Sequence, residues 1–322
     1  MTDATLGAIL DRFTEAKILI FGDLWLEHSL RGSAREGADG RLKIRVSERT
    51  ARAGGAGGVA CAAAAMGART WVAAAVGQDA GAGEALRALG AVAADTFAVV
   101  SSPGHHTGER LVLGLEEVSA PWSAVEVEVH GAPPLEGAAA QEMLGHIEAI
   151  IGQIGAVTIL TDESPAETKV LQRLARLANN NGIPLIGGVT STTAGGCGEQ
   201  PLSTLPRCDL AVVGPRCDEP ASGDEAGRAA TAEMGHKALI LIARDGGARL
   251  HREGVSESEL IAEPHCMGCG AWENFMAGVA LGMAVGADPL AAGRIGAAAA
   301  IVGGRCGGLA AVDDIRAEIA PE

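Results

Sequence analysis

Short apolar runs alternate with stretches of helical periodicity along most of the chain. The apolar runs are rich in aliphatic residues and end at turn-forming residues, which is typical of buried strands. Regular succession of strand and helix predicts βαβ units with right-handed crossovers, and therefore a mostly parallel central sheet with helices on both faces. The predicted strands are 17–21, 70–76, 156–160, 184–186, 210–213 and 238–242, and the predicted helices are 57–66, 138–151, 166–179 and 275–285.

Two segments, 24–50 and 104–130, depart from this rhythm. They alternate apolar and polar residues in the manner of half-exposed strands. We predict that they form a small antiparallel sheet, which stands off the main body as a lid. The chain shows no internal repeat and no linker rich in Pro or Ser. Residues 1–322 are therefore interpreted as a single domain with these two lid segments inserted in it.

Composition describes the core and excludes one class of partner. Hydrophobic residues make up 48% of the chain but aromatic residues only 2%, and 46 of the 322 residues are glycine. Such a core is built from small aliphatic side chains, which allow helices to lie close to the sheet. The net charge of −15, without any run of Lys and Arg, argues against a nucleic-acid partner.

The sequence also indicates a compartment. The N-terminal region lacks the pattern of a signal peptide, and no window is long and apolar enough for a membrane span. The seven cysteines are an odd number scattered along the chain, as expected of reduced thiols rather than of a disulfide framework. We therefore expect a cytoplasmic protein without a membrane partner.

Four stretches of the chain resemble motifs of a known family. They are FGDLWLEHSLRG at 21–32, RAGGAGGVACAAAAMGA at 52–68, ALILIARDGGARL at 238–250 and HCMGCGAWENF at 265–275. Their order resembles the ribokinase-like, or phosphofructokinase B, family of carbohydrate kinases, and within it the heptose 7-phosphate kinase domain of ADP-heptose synthesis. The resemblance covers nearly the whole chain. It implies a three-layer α/β fold with a small β lid, and a sugar or sugar phosphate as the small-molecule substrate.

On the sugar side, the resemblance implies that Asp23 holds sugar hydroxyls, with Glu27 as a second candidate. Gly54 and Gly55 match the family's Gly-Gly signature, where the missing Cβ lets the backbone approach the sugar closely. An asparagine that usually contacts the substrate is replaced by Gly58. The sugar side therefore keeps most, but not all, of the family's residues.

The phosphoryl-donor side departs further from the family. VVGPRCDE at 212–219 occupies the place of an Asn-x-x-Glu element that organises Mg²⁺ and its waters, with Glu219 retained and Arg216 at the asparagine position. Ala243 stands where a threonine is usual, before a turn that contains Gly247. Gly296 stands where an asparagine often lies, in the helix and loop that border the adenine. The resemblance implies ATP and Mg²⁺ as cofactors, with Glu219 acting on Mg²⁺ indirectly.

The loop at 265–275 corresponds to the family's Gly-Ala-Gly-Asp signature. There, backbone N–H groups and a helix N-terminus bind the transferred phosphoryl group, and the aspartate takes a proton from the sugar hydroxyl. One alignment without gaps puts Glu273 at the aspartate position. The other keeps Gly268 and Gly270 in the anion hole and treats 271–272 as an insertion before Glu273. Both alignments nominate Glu273 as the base. Glutamate has one methylene more than aspartate, which moves the carboxylate by about 1.5 Å, and such a displacement can lower the rate about 100-fold.

Polar and cysteine side chains elsewhere allow simpler interpretations. Arg110, in the second lid segment, has a planar guanidinium that suits an anionic substrate group, whereas His105 and His106 are interpreted as a polar turn. Cys266 and Cys269 could form half of a zinc site. Zinc normally takes four ligands, and the other cysteines offer no second close pair, so small buried thiols are the favoured interpretation.

Two functions remain open from the sequence. The first is an ATP-dependent kinase that phosphorylates a hydroxyl of a sugar or sugar phosphate, with an altered and weakened catalytic loop. The second is a catalytically inactive relative that binds a sugar phosphate or a nucleotide as a regulator or scaffold, because most departures from the family lie on the nucleotide side. A metal or redox protein that uses the cysteines is a weaker third hypothesis. The resemblance also implies a homodimer, since related kinases often pair through their lid sheets.

Overall fold

The structure is a computed structural model that describes residues 3–36, 39, 41–102, 104–115, 125–129, 135, 137–161, 168–189, 205–214, 231–232, 235–243, 246–263 and 270–320. The strands are β1 (Lys17–Gly22), β2 (Leu24–Glu36), β3 (Leu42–Gly55), β4 (Arg69–Val76), β5 (Asp95–Ser101), β6 (Gly108–Leu115), β7 (Val125–Val129), β8 (Ala156–Thr161), β9 (Leu185–Val189), β10 (Leu210–Val213), β11 (Ala238–Ile242), β12 (Ala248–Arg252) and β13 (Glu259–Ala262). The helices are α1 (Asp3–Leu10), α2 (Ala56–Ala65), α3 (Ala80–Ala91), α4 (Gly137–Ile150), α5 (Thr168–Asn180), α6 (Ala271–Ala284), α7 (Pro289–Cys306) and α8 (Val312–Ile319).

The central sheet has nine strands in the order β13-β12-β11-β10-β9-β8-β1-β4-β5. From β11 to β5 every neighbouring pair runs parallel, whereas β12 and β13 are added at one edge as antiparallel strands. All six predicted strands belong to this sheet, and the mostly parallel architecture is confirmed. Strands β5, β12 and β13 are additions that the apolar runs did not reveal.

Side chains of the central strands alternate between two apolar layers. In β1, Ile18 and Ile20 belong to one cluster, together with the small residues of α2, α6 and α7. Leu19 and Phe21 belong to the other cluster, together with α4 and α5. Because successive side chains of a strand point to opposite faces, β1 is buried on both sides. This confirms the prediction of helices on both faces of the sheet.

The small sheet has the order β3-β2-β6-β7 and occupies the two predicted lid segments. Its two outer pairings are antiparallel, and β2 runs parallel to β6. β2 and β3 pair over almost their whole length, but the register shifts between Arg31 and Gly32. Ser47 is the extra residue at this bulge, and its Oγ donates to Arg31 O at 3.1 Å. β3 continues five residues past the predicted lid boundary, to the glycine pair at 54–55.

Helix ends follow local capping signals. α7 begins after Asp288, whose Oδ1 accepts hydrogen bonds from the N–H groups of Leu290 and Ala291, and it ends at Gly307 with φ +62°. α6 begins at Ala271, four residues before its predicted start, because Gly270 adopts a left-handed conformation with φ +83°. Helices α1, α3 and α8 were not predicted from the pattern, and a helix in the region of α7 was implied only by the resemblance.

Glycines bring α6 and α7 close together. A Cβ on Gly278 would lie 2.9 Å from Gly296 Cα, and a Cβ on Gly296 would lie 2.8 Å from Phe275 O. The two helices therefore meet backbone to backbone, which agrees with the expected core of small residues. Among the described residues, no helix has both the length and the apolar character that crossing a membrane requires.

Candidate functional site

The candidate site lies where the end of β1 and the end of β3 meet the starts of α2 and α6. Asp23 is an exposed residue between β1 and β2. Its carbonyl oxygen accepts a hydrogen bond from Ala56 N at 2.9 Å, which joins the end of β1 to the first residue of α2. The carboxyl ends of parallel strands are where open α/β sheets bind ligands. The predicted sugar-binding segment therefore lies at an edge suited to binding.

An indole ring covers the glycine pair of this segment. Trp25 and Gly54 face each other on β2 and β3, and a Cβ on Gly54 would lie 2.1 Å from Trp25 Nε1. Gly55 has φ +58°, and its Cβ would lie 2.3 Å from Asp23 O and 2.5 Å from Trp25 Cζ3. The Arg110 guanidinium carbon lies 5.1 Å from the centroid of the same ring. The close approach that the two glycines allow is thus made by Trp25, and a sugar contact at this pair stays a prediction.

Two residues further along the strands of the small sheet, the cross-strand neighbours are charged. Arg52 on β3, Glu27 on β2 and Arg110 on β6 are cross-strand neighbours. Nε and Nη2 of Arg52 lie 2.7 and 2.6 Å from Glu27 Oε1, and the Glu27 side chain is only 4% exposed. Charge-assisted hydrogen bonds of this kind hold a buried carboxylate firmly. Burial raises the pKa of the Glu27 carboxyl above its ordinary value, although the Arg52 guanidinium opposes this and the Glu273 carboxylate adds to it.

Glu273 joins this pair from the first turn of α6. Its Oε1 lies 3.5 Å from Arg52 Nη2, and its side chain is 14% exposed. Arg52 therefore lies between two carboxylates, one from the small sheet and one from α6. A negative charge in the first turn of a helix is also favoured by the helix dipole. The structure brings together Glu27 and Glu273, which the sequence assigned to acceptor binding and to catalysis.

Gly58 lies directly beneath Glu273. A Cβ on Gly58 would lie 2.8 Å from Glu273 Cγ and 3.5 Å from Glu273 Oε1. Glu273 therefore occupies the space that a side chain at position 58 would need. Cys61, one turn further along α2, is buried, and burial raises the pKa of its thiol to about 11, against the effect of Arg52. Because the thiolate is the reactive form, Cys61 is not a nucleophile near neutral pH.

Asn274 holds the start of α6 in place. Its Nδ2 donates to Gly270 O at 2.8 Å and to Gly308 O at 2.9 Å, and its Oδ1 accepts from Ala310 N at 2.8 Å. The residue is fully buried. Gly303 leaves room for it, since a Cβ there would lie 2.2 Å from Asn274 Nδ2. These bonds connect the N-terminus of α6 to the segment that follows α7.

The N-terminus of α6 is suited to an anion. Its N-cap is Gly270, and no side chain among the described residues caps its N–H groups. Uncapped N–H groups at a helix N-terminus bind phosphate oxygens readily. Arg52 Nη1 lies 3.3 Å from the position of a Cβ on Gly270, so a cation lies at the same place. The other predicted loop glycine, Gly268, falls in 264–269 with Cys266 and Cys269, outside the described residues.

A second indole ring lies on the opposite side of this helix end. A Cβ on Gly214, after β10, would lie 3.1 Å from Trp272 Cζ3 and 3.3 Å from Val189 O at the end of β9. Trp272 thus covers the carboxyl ends of β9 and β10. Within the described part of the chain, no three His, Cys, Asp or Glu side chains come together in a way that could hold a metal ion.

Residues predicted for the nucleotide are spread over separate elements. Ala243 N donates to Gly247 O at 2.7 Å, which closes the turn between β11 and β12. Gly296 lies in the contact between α6 and α7, where packing alone explains the glycine. Arg216 and Glu219 fall in 215–230, outside the described residues. The nucleotide assignments therefore stay predictions.

The base of the lid is fixed to the body by Asp79 and Thr107. Asp79 caps α3 by accepting from Ala82 N at 2.9 Å, and it also accepts from Thr107 N at 2.9 Å. Thr107 Oγ1 accepts from Gly77 N at 3.0 Å. Burial acts to raise the pKa of Asp79, but the hydrogen bonds from Thr107 and Ala82 outweigh it and lower the pKa. These bonds fix β6, and hence Arg110, relative to α3.

Sequence reasoning did not assign a role to Trp25, Arg52 or Asn274. Arg52 and Gly54 are two residues apart in a strand and therefore share a face, which was a usable signal. Trp25 and Glu27 repeat the same spacing on the partner strand. Asn274 left no signal in the sequence, because two of its three partners, Gly308 and Ala310, come from a different part of the chain.

The architecture matches solved structures of sugar kinases along nearly the whole chain. Arabidopsis thaliana ribokinase complexed with ribose and ATP superposes with a TM-score of 0.68, at 16% identity over 95% of this chain and 99% of that one. Phosphofructokinase-2 from Escherichia coli, in complex with fructose-6-phosphate, gives a TM-score of 0.68 at 17% identity over 94% of this chain and 98% of that one. The protein therefore has the ribokinase-like fold.

A curated relative is found by sequence. The bifunctional protein HldE of Alkalilimnicola ehrlichii is 26% identical over 255 residues, which are 79% of this chain and 52% of that protein. The chain thus spans about half the length of this relative. No protein-family model matches the chain.

Proposed function

We propose that the protein is a carbohydrate kinase that transfers the γ-phosphoryl group of ATP to a hydroxyl of a sugar or sugar phosphate, with a weakened catalytic site. The observation that carries this proposal is the position of Glu273, a carboxylate in the first turn of α6, next to a helix N-terminus that no side chain of the described residues caps. A base beside an anion-binding helix end is the arrangement that phosphoryl transfer to an alcohol requires. The likeness to solved sugar kinases supports it.

Each group has a role in this proposal. Glu273 takes the proton from the acceptor hydroxyl, and the N–H groups of α6 stabilise the transferring phosphoryl oxygens. Asp23 is the candidate for orienting the acceptor, and Arg110 is the candidate for an anionic group on it. ATP would supply the phosphoryl group. Glu219 is the candidate for ordering the waters of a Mg²⁺ ion, which would neutralise charge on the phosphates. The resemblance of the sequence motifs to the heptose 7-phosphate kinase domain favours an acceptor of the heptose-phosphate kind.

The same geometry explains why catalysis is expected to be weak. Glu273 has one methylene more than the aspartate that the resemblance implies, and the resulting shift of about 1.5 Å in its carboxylate must be accommodated when the acceptor binds. Trp25 covers the glycine pair on the acceptor side. Reorganising these groups consumes part of the binding energy of the acceptor, which then cannot lower the barrier of the chemical step.

The test is an ADP-release screen over sugars and sugar phosphates that includes heptose 7-phosphate. We expect slow ADP release that depends on one class of acceptor, and a fall of about 100-fold or more in Glu273→Gln, as is usual when a general base is lost. Glu142→Gln, the same chemical change at an exposed position of α4, is the matched control and should keep full activity. Unchanged turnover in Glu273→Gln would show that Glu273 is not the base.

A second function is favoured by one observation. Side chains of the protein occupy the space above Gly54, Gly55 and Gly58, which argues for a non-catalytic protein that binds a sugar phosphate or nucleotide as a regulator. Under this alternative, no acceptor releases ADP, yet a sugar phosphate or nucleotide raises the unfolding temperature. Acceptor-dependent ADP release that Glu273→Gln abolishes would exclude it.

We also propose that the protein forms a homodimer through the small sheet. β3 is exposed on both faces over most of its length, including Ile44 at 39% and Val46 at 44%. Ile44 and Val46 are two residues apart in the strand and therefore share one face, and contiguous exposed apolar patches mark sites of protein contact. Analytical ultracentrifugation should show a dimer that Val46→Glu converts to a monomer, whereas a monomeric wild-type protein would contradict the proposal.

A further inference from the structure

Three residues, one each from α2, β3 and β2, surround the Glu273 side chain and determine where its carboxylate can lie. The inference drawn from them deepens the proposed kinase function and rests on it for its catalytic consequence. Gly58 leaves space for the side chain because it has no Cβ, Arg52 places a positive charge beside the carboxylate, and Glu27 binds Arg52. We call this group the carboxylate seat.

The space that the Glu273 side chain occupies is left by a glycine of α2. The Glu273 Cγ atom lies 2.8 Å from the position of a Cβ on Gly58, and the Ala53 carbonyl oxygen lies 3.2 Å from the same position. Non-bonded carbon atoms normally stay about 3.5–4.0 Å apart, so no side chain fits at position 58 without displacing Glu273. Gly58 is helical and buried and has no positive φ, so backbone conformation does not require a glycine here. The glycine is explained by the Glu273 side chain above it.

The positive charge beside the Glu273 carboxylate belongs to a residue of β3. Arg52 Nη2 lies 3.5 Å from Glu273 Oε1, while Nε and Nη2 of Arg52 contact Glu27 Oε1. The guanidinium is planar and has several donors in a fixed geometry, so it can serve two carboxylates at once, which an ammonium group cannot do in the same geometry. Arg52 keeps 32% of its side chain exposed, whereas Glu27 keeps 4%. Glu27 is therefore the buried anchor, and Arg52 is the connection between that anchor and Glu273.

We propose that Gly58, Arg52 and Glu27 are positioning residues that fix the Glu273 carboxylate beside the N-terminus of α6. Glu27 then acts through Arg52 rather than by contact with the acceptor. Filling the space at position 58 pushes the carboxylate away from Arg52. Removing the anchor at position 27 removes the buried carboxylate that fixes the Arg52 guanidinium beside Glu273. In both cases the base is misplaced while the nucleotide side is unchanged.

Gly58→Ala tests the space. Displacement of a reacting group by about 1 Å costs on the order of 100-fold, so we expect kcat to fall about 100-fold while the KM for ATP stays within twofold. A purely structural role would lower the unfolding temperature and leave the kcat of the folded enzyme unchanged. Gly83→Ala is the matched control, since a Cβ on that helical glycine meets nothing within 4 Å, and it should keep full activity.

Glu27→Gln tests the anchor. The positioning role predicts a lower kcat with an unchanged KM for the acceptor, because Arg52 loses the charge of its buried partner and no longer aligns Glu273. A direct contact between Glu27 and the acceptor predicts a raised KM for the acceptor instead, and that result would overturn the role assigned to Glu27. Arg52→Lys should lower kcat as well, because lysine keeps the charge but not the fork.

Crystal structures of the wild-type protein and Gly58→Ala separate this inference from the proposed function. We expect the distance from Arg52 Nη2 to Glu273 Oε1, 3.5 Å in the wild type, to lengthen beyond ion-pair range in Gly58→Ala. If no acceptor gives turnover, the kinase proposal fails, and a lengthened distance still supports the seat. A carboxylate that stays beside Arg52 in Gly58→Ala, or a kcat unchanged by this substitution, would overturn the seat.

Discussion

The contact between Trp25 and the glycine pair can be tested by replacing each glycine with alanine. A Cβ on Gly54 would lie 2.1 Å from Trp25 Nε1 and 2.5 Å from Trp25 Cδ1. The indole ring is rigid and has the Arg110 guanidinium beside it, so it cannot move aside without cost. Overpacking of this kind destabilises by about 1–3 kcal/mol. For a chain of 322 residues, one kcal/mol lowers Tm by about 1.5 °C, so we expect Gly54→Ala to lower Tm by about 2–4 °C.

Removal of the ring should reverse this loss. φ of Gly54 lies outside the positive range that disfavours other residues, so the backbone accepts alanine. In a Trp25→Ala background, Gly54→Ala should therefore be neutral, or stabilising by up to about 1 kcal/mol, because alanine restricts the unfolded chain. The double-mutant cycle isolates the contact from the separate cost of losing the ring.

The neighbouring glycine provides the control. Gly55 has φ +58°, and its Cβ would lie 2.3 Å from Asp23 O. Gly55→Ala should therefore destabilise in both backgrounds, because the obstacle is main chain and the conformation is unfavourable for alanine by about 1–2 kcal/mol.

Thermal unfolding followed by far-ultraviolet circular dichroism suits this cycle, since the signal does not depend on tryptophan. The reasoning is refuted if Gly54→Ala destabilises equally with and without Trp25, or if Gly55→Ala is rescued to the same extent as Gly54→Ala.

Three further predictions concern the surroundings of the site. Asp79→Ala should destabilise the folded protein by about 1 kcal/mol at neutral pH, as loss of an N-cap does. Because the folded-state pKa of Asp79 is lowered, the difference in Tm between wild type and variant should shrink as pH falls through that pKa. A difference in Tm that stays constant with pH would contradict this prediction. Asn274→Ala should cost about 1–3 kcal/mol in chemical denaturation, because buried main-chain groups lose their partners. Gly278→Ala should destabilise by about 1–3 kcal/mol, because its Cβ would lie 2.9 Å from Gly296 Cα; wild-type stability would refute backbone contact between the helices.

The sequence predicted the central sheet well, because buried parallel strands leave a strong local signal. Predicted and observed bounds coincide for β10 and β11. The lid segments were also recognisable from their alternation. The start of α6 was placed too late, since the pattern identified Phe275 as the first helical residue while the helix begins after Gly270. This error matters, because it hid the fact that Glu273 lies within the first turn of the helix.

The interior of the site could not be predicted because one bulge determines which residues face each other. In β2 and β3, Glu36 pairs with Leu42, but beyond the register shift Glu27 pairs with Arg52. Without the extra residue Ser47, the whole inner half of β3 would turn its other face to the site, since a slip of one residue exchanges the faces of a strand. Alternation of residue types is the same in both registers, so the sequence does not distinguish them.

Contacts between segments far apart in the sequence were the second feature that could not be predicted. Gly58 was interpreted as a lost substrate contact, while the structure shows the Glu273 side chain above it. Gly296 was interpreted as a nucleotide position; it lies where α6 and α7 touch, and its role at the nucleotide stays a prediction. In both cases close packing accounts for the glycine. For Gly58 the packed side chain, Glu273, is more than a hundred residues away in the sequence.

The two indole rings at the site also determine how the protein can be observed. The chain has four tryptophans and no tyrosine, so its intrinsic fluorescence comes from indole alone. Trp71 is buried in the central sheet and provides a constant background, whereas Trp25 lies on the glycine pair beside Arg110 and Trp272 lies on Gly214. A ligand that enters from the acceptor side changes the surroundings of Trp25, and one that enters along β9 and β10 changes those of Trp272. Single Trp→Phe variants at these positions would show which of the two rings a bound ligand approaches, without any added label.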